Sequence, residues 1–131
     1  MREIKFRAWD KEQNNMWVWE KLIDKQCTYL NSKYFIAMQY TGLKDKNEVE
    51  IYEGDIVKVV EDKNKKVGNE PHQFKYGDIA KVEWNDVNLA YYLVNEKLED
   101  VEIPMDYYGA WSDWNWLEVI GNIYENSELI K

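Results

Sequence analysis

Gly54-Asp55-Ile56-Val57-Lys58-Val59 recurs further along the chain as Gly77-Asp78-Ile79-Ala80-Lys81-Val82, with five of six positions identical. Each copy reads as a turn followed by a strand. Glycine admits the positive φ of a tight turn, aspartate can bond the backbone that follows it, and Ile/Val alternates with lysine across a pleat. Turns of this kind recur in small SH3-like barrels. A duplicated ligand loop is the sharper reading, but two strands meeting the same geometric need explain the echo more simply.

The flanking sequence repeats the β pattern. Ile4, Phe6 and Ala8 alternate with Lys5, Arg7 and Trp9, the two-residue period of a half-buried strand. Asn14-Asn15 then turns the chain into a second β-rich stretch, Met16 to Trp19, which predicts a hairpin. Tyr34 to Thr41 alternates again and is expected to stop at Gly42. Lys44-Asp45-Lys46-Asn47 supplies turn formers, and Glu50 to Glu53 leads into the break at Gly54. Leu89 to Asn95 follows the turn-prone Asn85-Asp86, and Leu117 to Tyr124 forms a last strand broken at Gly121-Asn122. Glu61 to Phe74 is a charged loop, Leu98 to Tyr108 is ambiguous around Pro104, and Asn126 to Ile130 suits a capped helical turn. No amphipathic helix of three full turns is expected.

Composition sets the class. The 131 residues fall within the size of one domain, and 45% hydrophobic with 15% aromatic residues provides ample material for a core. No apolar run approaches the roughly 18 residues of a membrane span, and the first residues alternate charge instead of forming a signal segment. One cysteine, Cys27, cannot form an internal disulfide, which suits a reducing compartment. Cytoplasm is therefore the expected location.

Charge is uneven. Residues 1–66 hold 13 Lys/Arg against 12 Asp/Glu, and residues 67–131 hold 4 against 13, giving +1 and −9 and a total of −8. A nucleic-acid binder needs a basic stripe to neutralise phosphates, so only the first half could supply one. Its groups would be Arg2, Lys5, Arg7 and Lys11, with Trp9, Trp17 or Trp19 as stacking platforms and Lys63, Lys65 and Lys66 as further cations. Glu3, Asp10, Glu12, Glu61 and Asp62 cancel much of that potential.

Catalytic and metal chemistry is poorly provided. A structural zinc site wants four Cys/His ligands, and the chain offers Cys27 and His72. Neither Asn85-Asp86-Val87-Asn88 nor Asp62-Lys63-Asn64 has calcium-loop spacing. Cys27, Ser32 and Ser112 lie beside no catalytic motif, and the six glycines form no phosphate loop. Carboxylate pairs could be assembled from Asp55, Asp78, Glu83, Asp86, Asp106 or Asp113, but 25 acids place some together by chance. No enzyme, cofactor or metal is expected.

The segment Tyr107-Tyr108-Gly109-Ala110-Trp111-Ser112-Asp113-Trp114-Asn115-Trp116 is the best sequence candidate for a binding surface. Tyr107, Tyr108, Trp111, Trp114 and Trp116 offer large, rigid contact area at low entropic cost. A small β-protein also needs aromatics for its core, and core is the favoured reading of the two.

Three ordered blocks carry a family resemblance. They are Arg2 to Asp10 (REIKFRAWD), Met38 to Asn47 (MQYTGLKDKN) continuing to Ile51-Tyr52-Glu53-Gly54-Asp55-Ile56-Val57, and Glu118 to Asn126 (EVIGNIYEN). In these the chain resembles the YopX family of phage and prophage proteins. The resemblance implies a mainly β fold of several curved antiparallel sheets including an SH3-like barrel, with little helix. It implies one domain over 1–131: N-terminal strands to 42, a barrel region over about 43–124, and a tail over 125–131. It implies no known activity. Two positions depart from the family pattern: Glu48 stands where glycine is usual after the Lys-Asp-Lys-Asn turn, and Ser127 where proline is usual. The first makes Asn47 the residue expected to take any positive φ.

Together these readings predict a non-enzymatic phage or prophage accessory protein that binds an unknown host or phage protein in the bacterial cytoplasm, with the aromatic segment and the acidic second half as its expected surface. A nucleic-acid-binding module on the basic first half is the alternative, and pairing of strand edges makes homo-oligomers an open option.

Overall fold

The computed structural model describes residues 3–24, 33–60, 76–95, 101–104 and 117–131. Among the described residues nine strands run in the order β1 Phe6–Asp10, β2 Asn15–Trp17, β3 Phe35–Lys44, β4 Glu50–Tyr52, β5 Asp55–Val59, β6 Ile79–Asn85, β7 Ala90–Asn95, β8 Val101–Pro104 and β9 Leu117–Asn122. A short helix α1, Trp19–Asp24, and a final 3₁₀ turn, Ser127–Ile130, complete the described residues. One antiparallel sheet has the order β2-β1-β3-β4, and the other has the order β8-β7-β6-β5-β9. The second is a meander of four strands whose first member also takes the last strand, and one of the two sheets forms a half-barrel.

The internal echo is resolved by pairing. Its two copies are β5 and β6, which lie side by side with Ile56 opposite Lys81, Val57 opposite Ala80 and Lys58 opposite Ile79. The Gly54 N–H donates to the Val82 carbonyl at 2.8 Å, and the Gly77 N–H donates to the Val59 carbonyl at 2.8 Å. Each copy's glycine therefore closes the far end of the other copy, a local two-fold that needs the same residue in both places. Gly54 and Gly77 both have positive φ, 85° and 89°. Ile51, Val57, Val59, Ala80, Val82, Tyr91, Leu93 and Leu117 form the core against this pair, with Leu43 and Val119 packed beside them.

The first sheet is covered on both faces. Leu22 of α1 is buried and Trp19 packs against Phe6 at 6.1 Å, placing the helix over the face that carries the fully buried Ala8. The opposite face, with Arg7, Trp9 and Met38, meets the second sheet. Segment 43–52, expected with the barrel, divides its loyalties. β4 hydrogen-bonds to β3, yet Leu43 and Ile51 point into the core of the second sheet.

Four local expectations are corrected. β3 does not stop at Gly42, because the glycine takes φ 88° and the register shifts between Tyr40 and Lys44, so the strand passes through a bulge. The β stretch after the first hairpin ends at Trp17, and Trp19 belongs to α1. The turn after β3 places its positive φ on Glu48, at 64°, and not on Asn47. Buried Asp45 organises that turn: one carboxylate oxygen accepts from the Asn47 and Val49 amides, and the other accepts from Val119 of β9 at 2.8 Å. The final turn forms as expected, but Asn126 does not cap it; its side-chain oxygen accepts from the Asn122 amide at 3.1 Å.

No helix among the described residues is long and apolar enough to cross a membrane. Glu48→Gly removes the left-handed penalty and is expected to raise unfolding stability by about 1 kcal/mol in a urea titration. Unchanged or lower stability would show that the Glu48 side chain supplies a compensating contact.

Candidate functional site

Two of the cations expected to meet nucleic acid, Lys5 and Arg7, are turned inward. Arg7 Nη2 donates to Asp55 Oδ1 at 2.7 Å and to the Glu53 carbonyl at 3.2 Å, while its guanidinium stacks 4.8 Å from the centre of the Tyr52 ring. The Asp55 side chain is 2% exposed, and its other oxygen accepts from the Tyr52 amide at 2.8 Å. Burial pushes the Asp55 carboxyl above its ordinary range even though Arg7 and the Tyr52 amide pull it down. Lys5 pairs with Glu50 and Glu3 and sits over the Tyr40 ring, and its side-chain bond to Glu50 holds its pKa above the ordinary lysine value. Tyr52 donates its hydroxyl to Glu50 at 3.2 Å, and burial pushes that phenol up to about 12.

The expected stacking platforms are also engaged. Trp9 stacks on Tyr124 at 5.6 Å, Trp17 meets Phe35 edge-on at 5.4 Å beneath the Lys21 ammonium, and Trp19 lies on Phe6. Lys11 is exposed, and its backbone N–H donates to the Tyr34 carbonyl. Arg2, Cys27, Lys63, Lys65, Lys66 and His72 lie outside the described residues, as do Tyr107, Tyr108, Trp111, Trp114 and Trp116. No group of three or more metal-ligating side chains occurs among the described residues.

A hollow of about 310 Å³ lies between the second copy of the echo and the final turn, lined by Asp78, Lys81, Asn95, Leu129 and Ile130 among others. Its polar groups serve the fold. Lys81 pairs with Glu83 at 2.8 Å, and Asn95 donates to the Ile79 carbonyl at 2.6 Å.

The β6–β7 hairpin presents a different surface. Asn85 pairs with Ala90, leaving residues 86–89 as the loop, and the Asn85 side-chain oxygen accepts from both the Val87 and Asn88 amides at 2.9 Å. Asn88 in turn donates to the Tyr92 hydroxyl at 2.7 Å. This bonding holds the tip in one shape. Val87 is 88% exposed, Leu89 71%, and Trp84, packed edge-on against Tyr91, 40%. Leu89 also carries φ 53°, a conformation in which a side chain is strained and glycine or asparagine is ordinary. A solvent-facing leucine contributes little to the fold, and its positive φ closes the turn as those of Asn14 and Glu48 close theirs. Sequence reading recognised Asn85-Asp86 as a turn but missed the surface; the available signal was two aliphatic residues inside a turn.

The YopX protein family model matches residues 5–131. The chain belongs to the YopX family. Two solved structures share the YopX-type fold: protein EF1440 from Enterococcus faecalis, with TM-score 0.61 and 22% identity over 100% of both chains, and yopX from Bacillus subtilis. The latter has TM-score 0.55 and 18% identity over 100% of this chain and 98% of that one. A search of curated proteins found no match. YopX membership thus accounts for the paired curved sheets, and the side chains described above supply the remaining functional information.

Glu53 offers a test of the site's electrostatics. Burial raises its carboxyl pKa first, and the nearby Asp86 and Glu83 charges add to the effect. A carboxyl with a higher pKa folded than unfolded contributes stability that is present below the unfolded value and is lost as pH rises through the folded value. Wild-type stability is therefore expected to fall as pH rises above the ordinary carboxyl range and through the folded-state pKa of Glu53, and Glu53→Gln to flatten that part of the curve. Equal slopes in pH-dependent urea titrations would contradict the assignment.

Proposed function

We propose that this chain is a non-enzymatic phage or prophage accessory protein that acts in the bacterial cytoplasm by binding another protein, through the tip of the β6–β7 hairpin. One observation carries the reading: Val87 and Leu89 stand exposed on a tip shaped by the Asn85 side-chain bonds, and Leu89 does so with a positive φ. Rigid apolar projections lose little entropy on docking and suit a pocket in a partner. The nucleic-acid alternative is weakened because Lys5 and Arg7 are paired with acids and Trp9 is stacked on Tyr124. The aromatic segment of Tyr107, Tyr108, Trp111, Trp114 and Trp116 stays within the proposal as an additional surface.

Affinity capture from a bacterial host lysate tests this, with nuclease treatment and at two salt concentrations. The expected result is a stoichiometric protein that survives nuclease and is lost with Val87→Asp or Leu89→Asp, variants that leave the buried core intact. Recovery of nucleic acid alone, falling with salt, would contradict it. Replacing Trp111, Trp114 and Trp116 by alanine in the same assay shows whether that segment contributes.

A further inference from the structure

The hairpin tip carries more acid than base. From Glu83 to Glu96 the chain contains no lysine or arginine, while Glu83 and Asp86 flank the exposed Trp84, Val87 and Leu89. Asp86 is exposed, and Glu83 retains 46% side-chain exposure although Lys81 pairs with it at 2.8 Å. Glu53, half-buried in the turn between β4 and β5, is held beside this strand because the next residue, Gly54, donates its amide to the Val82 carbonyl at 2.8 Å. The nearest described cation on the hairpin, Lys81, is already committed to Glu83.

We infer that the hairpin tip docks on a cationic protein surface, an apolar pocket or groove flanked by lysine or arginine that receives Val87 and Leu89 while its cations face the exposed Asp86. This deepens, and rests on, the reading of the tip as a docking surface. The physical basis is complementarity: apolar contact supplies affinity, while an acidic rim accelerates encounter with basic partners and repels acidic ones. The same rim opposes approach of a nucleic-acid backbone. A second copy of the chain is a poorer match. Around its exposed Val18 and Ile23, Lys21 is balanced by Glu20 and Asp24, so that face carries no excess positive charge.

The test uses the immobilised full chain and a random peptide library displayed on phage. The expected binders combine aliphatic or aromatic residues with lysine or arginine, and lose affinity for Val87→Asp and Leu89→Asp. Asp86→Lys should weaken them about fivefold at low salt, with the difference shrinking at high salt, and Asp86→Asn should fall between. Tip-dependent binders that are neutral or acidic and indifferent to Asp86→Lys would overturn the cationic partner while leaving the docking surface standing. Absence of any tip-dependent binder would overturn both. Concentration-dependent self-association in sedimentation, abolished by Val87→Asp, would overturn the inference in favour of a second copy.

Discussion

The contact between Arg7 and Asp55 is the constraint on which the arrangement of the two sheets depends. Arg7 lies at the centre of the first sheet and Asp55 opens the first strand of the second, so one buried ion pair ties them together. The surrounding groups make this tolerable in a protein interior. Asp55 also accepts from the Tyr52 amide, and Arg7 donates to the Glu53 carbonyl and stacks on Tyr52, so both charges find several partners within one turn of chain. Gly54 sits at the pivot. It has positive φ, and a Cβ there would lie 3.0 Å from the Met38 sulfur, so the turn that presents Asp55 to Arg7 has little room for any other residue.

From that junction the rest follows by short steps. The Gly54 amide engages the Val82 carbonyl and the Gly54 carbonyl receives the Ile123 amide, so the turn also fixes the second copy of the echo and the segment after β9. Asp45 makes a second tie by holding the turn after β3 to β9 through Val119. Two buried aspartates thus convert two sheets into one body, and the β6–β7 hairpin projects from it. A rigid base is what allows an exposed tip to act as a defined surface.

Much of this fold is legible in the sequence, for physical reasons that differ from element to element. The echo marks β5 and β6 because a glycine turn followed by alternating aliphatics has few other solutions, and the Asn14-Asn15 turn marks the first hairpin, with Asn14 at φ 53°. What local pattern cannot show is the partner. Lys5 and Arg7 read as solvent-facing cations, whereas their acids stand 45 and 48 residues away and draw them inside. Helix α1 was invisible for a similar reason: six residues carry too few turns for a periodic signal, and its position depends on Leu22 and Trp19 finding the first sheet. The hairpin tip escaped because exposure is a property of what fails to cover a residue, and nothing in Val87-Asn88-Leu89 announces that.

A double-mutant cycle on Arg7 and Asp55 tests the central claim most directly. Arg7→Met and Asp55→Leu alone each leave an uncompensated buried charge and should lose about 3–5 kcal/mol of unfolding free energy, whereas the double variant, with neither charge present, should lose clearly less than the sum, retaining a cost for the Tyr52 amide and Glu53 carbonyl left without these partners. Additive losses would contradict the account, because they would mean that the two side chains support the fold separately and that the sheets are held together by something other than this pair.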